Sequence, residues 1–292
     1  MKIAVIDIGS NSIRYMEAEL NGTEFGFSGK SVYTTRLASG LIQNGRLSED
    51  SMQKSQAVLF MLAERARKKK IPCYCYATSA VRDAENKQDF LSCVLCESNL
   101  TINILTGEEE AAFARLGAEQ ITGGLIDIGG GSSQIITETY RNSFPLGCVR
   151  IRDLCGRCSI AEMKEKLLPV FEEVYRSLPP LPSLAWTAVG GTATTLAALS
   201  LDMTTYDAEQ IKHAQLSKET LTVLLSRLDA MGDTARASHP LLIDRHDVIR
   251  GGGLILQYLM ERIGINTIRF SDADGLEGYA MHLLTGLTKH SE

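Results

Sequence analysis

Two stretches of the chain share one pattern: LIDIGGGSSQIIT at residues 125–137 and IAVIDIGSNSIRY at residues 3–15. Each is an apolar run that ends in Asp-Ile-Gly, continues through small hydroxyl or amide residues and returns to a β-like run. Repetition at a separation of about 120 residues indicates two halves of the same topology. Because the pattern of strands and helices restarts at Gly123, we predict domains at residues 1–122 and 123–292.

Each half has the pattern of five strands with flanking helices. In the first half, the strands are predicted at KIAVIDIG, SIRYMEAEL, FGFSGKSVYTTRL, IPCYCYA and TINIL. In the second half, they are predicted at the run ending in Asp127 and at SQIITETY, NSFPLGCVRI, LAWTAVG and NTIRFSD. A hairpin start followed by alternating helices and strands is typical of a mixed sheet in an α/β protein. A last helix is predicted from about Gly275.

The composition is that of an ordinary globular protein of 292 residues. Its net charge of −5 argues against nucleic acid as a general partner, because such binding favours a basic surface. No run approaches the length of a membrane span, and the apolar start of the chain meets Asp7 too soon for a signal peptide. We therefore expect a cytoplasmic protein with no membrane partner.

The seven cysteines include three close pairs: Cys73/Cys75, Cys93/Cys96 and Cys155/Cys158, with Cys148 by itself. Two C-x-x-C pairs are compatible with a four-thiolate zinc site, but their separation is longer than in compact zinc ribbons. The spacing of Cys93 and Cys96 indicates one helix face that packs inward, and free cysteine is commonly buried. We therefore favour structural thiols over zinc.

The repeated turns have the chemistry of an anion site. Glycine tolerates positive φ and lets an anion approach the backbone, and consecutive amides in such a turn form a concave set of donors. A plain hairpin also uses Gly and Asn at its turn, but two such turns in matching positions favour phosphate binding. Side-chain donors are added by Ser10, Asn11, Ser12, Ser132 and Ser133.

An aspartate precedes each turn. Asp7 and Asp127 would repel a phosphate unless a hard cation or a bound water lay between them, so we interpret both as magnesium or water ligands. A third glycine stretch, AVGGTATTLAAL, follows a buried strand and opens a helix at residues 190–196. Such a helix start either accepts phosphate or packs closely on its strand, and the sequence leaves both readings open.

Eight motifs follow one another along the chain: DIGSNSIR, ATSAVRDAENKQDFL, TGEEEAAFARLGAE, DIGGGSSQ, FPLGCVRI, VGGTATTLAAL, DRHDVIRGGG and FSDADGLEG. In this order they resemble the exopolyphosphatase/guanosine-pentaphosphate phosphohydrolase (Ppx/GppA) family in its short two-domain form. The resemblance covers nearly the whole chain and implies the actin/sugar-kinase/chaperone ATPase superfamily. It predicts two ribonuclease-H-like domains, each a five-stranded mixed sheet with flanking helices, with a cleft between them and the last helix packed on the first domain.

The resemblance also implies the reaction, which is hydrolysis of the terminal phosphoanhydride bond of polyphosphate or guanosine pentaphosphate with Mg²⁺ or Mn²⁺. Glu110 matches the base for the attacking water and Arg82 the phosphate-facing arginine, while Asp127 matches the metal-associated aspartate. Three adjacent glutamates at a helix start are otherwise ordinary helix-dipole chemistry. The resemblance and the turn chemistry together give the predicted phosphate-binding positions: Gly9, Ser10, Asn11, Ser12, Arg14, Gly129, Gly130, Gly131, Ser132, Ser133, Gly190, Gly191 and Thr192.

Two departures from the family bear on activity. Many relatives read Ser-Thr-Glu where this chain has Ser132-Ser133-Gln134, and a neutral Gln134 weakens the predicted metal site by one charge. Longer relatives carry further C-terminal domains, so we expect short polyphosphate chains or a small nucleotide as substrate, and a homodimer by family habit. Two other readings stay open: an acceptor-dependent phosphotransferase, and a non-catalytic sensor of polyphosphate or an alarmone.

Overall fold

The computed structural model describes residues 1–118 and 121–289. They form two compact units, one from the described residues of Met1–Glu119 and Ala273–Glu292, the other from those of Gln120–Asp272. The last helix, which the predicted range 123–292 included, thus belongs to the first unit. None of the described helices has the length and apolarity needed to cross a membrane.

The first half of the chain contains six strands and five helices over its described residues. The strands are β1 (Lys2–Ile8), β2 (Ser12–Asn21), β3 (Glu24–Phe27), β4 (Ser31–Thr34), β5 (Cys73–Ala77) and β6 (Ile102–Ile104). The helices are α1 (Leu41–Asn44), α2 (Glu49–Lys68), α3 (Ser79–Asp83), α4 (Lys87–Ser98) and α5 (Gly107–Gly117).

The remaining chain contains six strands and eight helices over its described residues. The strands are β7 (Gly124–Ile128), β8 (Ser133–Ile136), β9 (Arg141–Phe144), β10 (Trp186–Val189), β11 (Gln215–Ser217) and β12 (Thr267–Phe270). The helices are α6 (Cys148–Cys155), α7 (Ile160–Ser177), α8 (Gly190–Ser200), α9 (Ala208–Lys212), α10 (Lys218–Ala230), α11 (Gly232–Ser238), α12 (Ile249–Ile263) and α13 (Gly275–Lys289).

The two sheets share one strand order. In the first sheet the order is β3-β2-β1-β5-β6, and in the second β9-β8-β7-β10-β12 with β11 added at the edge. In each sheet the first three strands are antiparallel and the next two run parallel to the central strand. This is the order of a ribonuclease-H-like domain, so the predicted α/β fold class is confirmed.

The predicted number of five strands in each sheet is wrong, because the described residues form six in each. In the first sheet the expected strand 25–37 is split by Ser28–Lys30 into β3 and β4, which pair with different parts of β2. In the second sheet the extra strand is β11, only three residues long, antiparallel to β12. A strand that short carries too little pattern to be recognised from sequence.

Two local predictions are also wrong. The expected strand NSFPLGCVRI ends at Phe144, because Cys148–Cys155 forms α6 after Gly147. Cys96 is exposed, whereas Phe90 and Val94 are the buried residues of α4. The helix therefore packs on a face that the two cysteines do not share.

Helix α13 packs on α5 and on the first sheet. Leu276, Ala280 and Leu284 join a buried cluster with Ile3 and Val5 of β1. Two glycines allow α5 and α13 to touch through their backbones. A Cβ on Gly117 would lie 1.9 Å from the carbonyl oxygen of Asp274, and one on Gly278 would lie 1.9 Å from that of Phe113.

We expect Gly278→Ala to destabilise the protein by about 2 kcal/mol or more, because a methyl group has no space between two backbones. The control is Gly286→Ala in the same helix, where nothing lies within 4 Å of the added Cβ. That change should be neutral or stabilise by up to about 1 kcal/mol, as alanine favours helix. Denaturant unfolding of both variants tests this, and equal effects would contradict the close helix contact.

Candidate active site

The two repeated turns have the same closing hydrogen bond. The amide of Gly9 donates to the carbonyl of Ser12 at 3.1 Å, and the amide of Gly129 donates to the carbonyl of Ser132 at 2.9 Å. A Cβ on either glycine would lie 2.9 or 3.0 Å from that same carbonyl oxygen. Each turn is therefore tight at its first position, where a Cβ would press on the carbonyl that closes the turn.

The residue opposite each aspartate differs between the halves. Asp7 in β1 faces Arg14 in β2, and at the equivalent register Asp127 in β7 faces Gln134 in β8. The first aspartate is therefore paired with a cation, and the second with a neutral amide. The repeated motif thus places different electrostatics at matching positions.

Arg14 lies in a buried group of charges that the C-terminal segment completes. Its Nε donates to Asp7 Oδ2 at 2.9 Å, and its Nη1 binds the carboxylate of Asp274. Lys30 pairs with Glu277 at 2.9 Å and with Asp274 at 3.5 Å. The predicted phosphate contact of Arg14 stays a prediction, since the guanidinium is engaged by two carboxylates here.

Burial and charge act against each other in this group. Burial raises the pKa of Asp7 in spite of the neighbouring Arg14 guanidinium. Burial alone would lower the pKa of Arg14, but Asp274 and Asp7 raise it well above its ordinary value. Burial would likewise raise the pKa of Asp274, but Arg14 and Lys30 hold it well below its usual range. The guanidinium is thus firmly charged.

The three glutamates at the start of α5 have different surroundings. Glu109 forms a capping box with Thr106, whose amide donates to its carboxylate at 2.8 Å. Glu108 is exposed. Glu110 turns inward, where its side chain is 11% exposed and forms an ion pair with Arg82. Only Glu110 therefore combines burial with a charged partner.

Arg82 and burial together set the protonation of Glu110. Burial raises the pKa of Glu110 to about 7, against the opposing effect of Arg82, with smaller contributions from the charges of Asp7 and Asp83. Arg82 also donates through Nη1 to the carbonyl of Leu105 at 2.6 Å. A carboxylate with a pKa near neutrality can accept a proton at physiological pH.

Helix α3 joins the first turn to this ion pair. The hydroxyls of Ser10 and Ser79 are 3.1 Å apart, and Arg82 lies one turn further along α3. Asn11 Nδ2 donates to the hydroxyl of Ser12 at 3.2 Å, and all three turn side chains are buried. The turn, Arg82 and Glu110 therefore belong to one connected region of the first unit.

In the second unit, Gln134 supports the turn that precedes it. Its Nε2 donates to the hydroxyl of Ser132 at 3.1 Å and to that of Ser143 at 3.0 Å. The Ser133 hydroxyl donates to the carbonyl of Leu146. Gln134 thus holds the turn to β9, and Ser133 holds it to the segment that follows β9. The predicted contacts of Ser132 and Ser133 with phosphate, and of Gln134 with metal, stay predictions.

The third glycine stretch reaches the same region. Gly190 has φ +84°, and a Cβ on it would lie 2.5 Å from Asp127 Oδ1. A Cβ on Gly191 would lie 2.2 Å from Nη2 of Arg245, so the guanidinium rests on this backbone. Thr192 is buried, and its methyl group packs under Gly252. Both sequence readings are therefore compatible with this stretch: Gly190 borders Asp127, Gly191 borders the Arg245 guanidinium, and Thr192 packs.

The structure is compatible with a magnesium ion shared with substrate. Across residues 1–118 and 121–289, no three His, Cys, Asp or Glu side chains form a metal cage. Magnesium is commonly held by one or two carboxylates, waters and phosphate oxygens. Asp7 fits the role of such a ligand, because its Oδ1 is buried and forms no hydrogen bond of normal geometry with the described residues. The Tyr76 side chain lowers the pKa of Asp7 and so favours the ionised carboxylate. Asp127 supplies the equivalent carboxylate in the second unit.

Sequence reasoning missed Asp274 and Arg245 as members of these regions. Asp274 is distant in sequence from Arg14, and only the return of α13 brings the two together. Arg245 lies in the motif DRHDVIRGGG, to which no role was given. The only sequence signal for either was membership of a family motif.

Known proteins resemble the chain over most of its length. The model of the Ppx/GppA phosphatase family matches residues 25–285. Exopolyphosphatase 2 of Mycobacterium tuberculosis is 28% identical, covering 97% of this chain and 98% of its own length. The guanosine-5'-triphosphate,3'-diphosphate pyrophosphatase of Vibrio vulnificus is 28% identical, covering 97% of this chain and 59% of its own length. The crystal structure of an Aquifex aeolicus Ppx/GppA family member has a TM-score of 0.77 and 25% identity, covering 100% of this chain and 99% of that one.

The raised pKa of Glu110 predicts a pH-dependent stability difference. Because the folded pKa of about 7 exceeds the ordinary glutamate pKa of 4.5, the wild type loses stability as the pH rises through this range. Glu110→Gln does not lose stability in this way, because glutamine does not ionise. The unfolding free energy of the variant relative to wild type should therefore increase by roughly 3 kcal/mol between about pH 4.5 and about pH 7.5.

Denaturant unfolding at both pH values measures this difference. Glu108→Gln is the control, since it removes the same charge from an exposed position of the same helix turn. Parallel pH profiles for wild type and Glu110→Gln, or the same change in the control, would contradict a buried Glu110.

Proposed function

Because the chain belongs to the Ppx/GppA phosphatase family, we propose that it releases the terminal phosphate of inorganic polyphosphate, of guanosine pentaphosphate, or of both. The family resemblance drawn from the sequence motifs is confirmed, and so is a phosphohydrolase as the enzyme class. The exopolyphosphatase and the guanosine-pentaphosphate enzyme are each 28% identical to this chain, which covers 98% of the first and 59% of the second. They support both substrates and do not choose between them.

One observation carries the proposed mechanism: a single inward-facing carboxylate with a pKa of about 7 on a helix beside the first turn. Glu110 would accept a proton from the attacking water as its oxygen bonds to the terminal phosphorus. The phosphoanhydride bond breaks, and the shortened chain leaves with the bridging oxygen. Efficient general bases have pKa values near the working pH, which fits Glu110.

Arg82 has two roles in this scheme. Before substrate binds, its guanidinium neutralises Glu110, which holds both side chains in place. With substrate present, the remaining donors of the guanidinium can bind the terminal phosphate. Phosphoryl transfer develops charge on the equatorial oxygens, and fixed donors stabilise that charge. The amides of the first glycine turn, in the same unit as Arg82, would supply further donors of this kind.

We also propose that the reaction uses Mg²⁺ or Mn²⁺, with Asp7 and Asp127 as the candidate protein ligands. Such an ion would offset charge on the phosphates and lower the proton affinity of a bound water. Gln134 lies directly opposite Asp127 and lends no charge to it. A homodimer and a cytoplasmic location remain part of the proposal.

We expect Glu110→Gln to lower kcat by about 100-fold or more, because the water loses its proton acceptor. Phosphate release is measured on triphosphate, long polyphosphate and guanosine pentaphosphate, each with Mg²⁺. The control is Glu108→Gln, which should stay within about twofold of wild type since Glu108 is exposed. The three substrates compared on wild type also decide the substrate preference.

Three outcomes would contradict the hydrolase. If folded wild type turns over none of the three substrates in the presence of metal, the proposed activity is wrong. If Glu110→Gln leaves a slow rate of phosphate release unchanged while the substrates still bind, the neutral Gln134 is better explained by a non-catalytic sensor. Consumption of nucleotide only when an acceptor is added would instead identify a phosphotransferase.

Gln134→Glu should lower the Mg²⁺ concentration that gives half-maximal activity by roughly three- to tenfold, since it places a second carboxylate opposite Asp127. Gln134→Met is the control, because it loses both serine hydrogen bonds and adds no charge. A titration of activity against Mg²⁺ separates the two variants. Equal shifts in both, or no shift in Gln134→Glu, would contradict a metal site at this position.

A further inference from the structure

The second turn is held on one side by the start of α6. The amide of Cys148 donates to the carbonyl of Gly129 at 3.0 Å. The amides of Val149 and Arg150 donate to the carbonyl of Gly130 at 2.8 and 3.3 Å. The side chain of Arg150 completes the set, since its Nε donates to the carbonyl of Gly131 at 2.5 Å. Three successive carbonyls of the turn are therefore bonded to one short segment.

Fixing these carbonyls also fixes the amides. In a planar trans peptide the C=O and the N–H point in opposite directions. The carbonyls of residues 129, 130 and 131 share peptide groups with the amides of residues 130, 131 and 132. When the carbonyls point to α6, those three amides point away from it. Successive amides directed to one side are the donor set that binds an anion.

Gly147 allows this approach. A Cβ on Gly147 would lie 2.2 Å from the carbonyl oxygen of Gly130 and 2.5 Å from the carbonyl carbon of Gly131. Both neighbours are backbone atoms, which have no side-chain rotamer to move aside. The start of α6 therefore packs directly against the turn, and any side chain at position 147 would displace one or the other.

The first turn is held in the same way by an unrelated segment. The amide of Arg36 donates to the carbonyl of Asn11 at 2.9 Å, and the amide of Ala38 donates to that of Ser10 at 3.0 Å. Arg36 has φ +52°, which is strained for a residue with a side chain. A strained backbone persists only where its surroundings impose it. The same arrangement thus occurs in both halves, built from different residues.

We propose that Arg150 is a positioning residue, which with the backbone of residues 148–150 presets the second turn for phosphate. The identity of the ligand rests on the proposed function, whereas the fixed turn is a property of the chain itself. A turn that is already ordered binds without the cost of ordering it on association. Arg150 therefore contributes to affinity through the carbonyl of Gly131.

The first test is Arg150→Gln, measured by amide hydrogen exchange and by binding of imidodiphosphate, a diphosphate that resists hydrolysis. We expect exchange at residues 130–132 to accelerate, and the Kd for imidodiphosphate to rise about tenfold. Arg152→Gln is the matched control on the same helix. Arg152 pairs with Asp153 and Asp247 and makes none of the turn contacts described above. It should lower thermal stability without changing exchange at the turn.

The second test is Gly147→Ala, which should produce the same two changes by pushing the turn away from α6. Gly156→Ala is its control at the other end of the helix. Gly156 has φ +64° and nothing within 4 Å of an added Cβ, so the substitution strains α6 without touching the turn. The pair separates displacement of the turn from general destabilisation of the helix.

The proposal is wrong if Arg150→Gln keeps the amide exchange rates and the imidodiphosphate Kd of the wild type. It is also wrong if the Arg152→Gln control changes both quantities equally. Failure of the proposed function looks different. In that case wild type neither binds imidodiphosphate nor hydrolyses polyphosphate, and exchange at the turn still reports whether Arg150 holds it.

Discussion

One hydrogen bond closes each glycine turn, from Gly9 to Ser12 in the first unit and from Gly129 to Ser132 in the second. The arrangement of the candidate active-site residues around each turn depends on it. It reverses the chain directly after a strand-ending aspartate and starts the next strand in antiparallel register. That register places Arg14 opposite Asp7 and Gln134 opposite Asp127. Because a peptide group directs its carbonyl and its amide to opposite sides, the bonds that fix the turn carbonyls also fix the direction of the turn amides.

Charge then distinguishes two halves that share one topology. In the first unit the aspartate is tied to Arg14, and Arg14 to Asp274, so that the C-terminal helix becomes part of the region around the turn. In the second unit the matching position holds an amide that donates to two serines. Glu110 occurs only in the first half, where burial and Arg82 set its pKa near neutrality.

The sequence predicts the features that depend on short-range pattern. Strands ending near Asp7 and Asp127, the capping box at Thr106 and the repeated topology follow from local composition. The sequence does not predict the helix at Cys148, because Cys-Val-Arg-Ile has strand composition and its contacts with the glycine turn are distant along the chain. The partners of Arg14 and Gly191 were missed because they lie far along the chain. Glu110 was selected by family resemblance, and the structure supplies the physical distinction from Glu108 and Glu109.

The central claim is that both turns direct backbone amides at phosphate. The most direct measurement is the amide nitrogen and proton chemical shifts of isotope-labelled protein, titrated with imidotriphosphate in the presence of Mg²⁺. The account predicts saturable downfield proton shifts at Asn11 and Ser12 in the first turn and at Gly130, Gly131 and Ser132 in the second. Shifts confined to residues outside the two turns would contradict it.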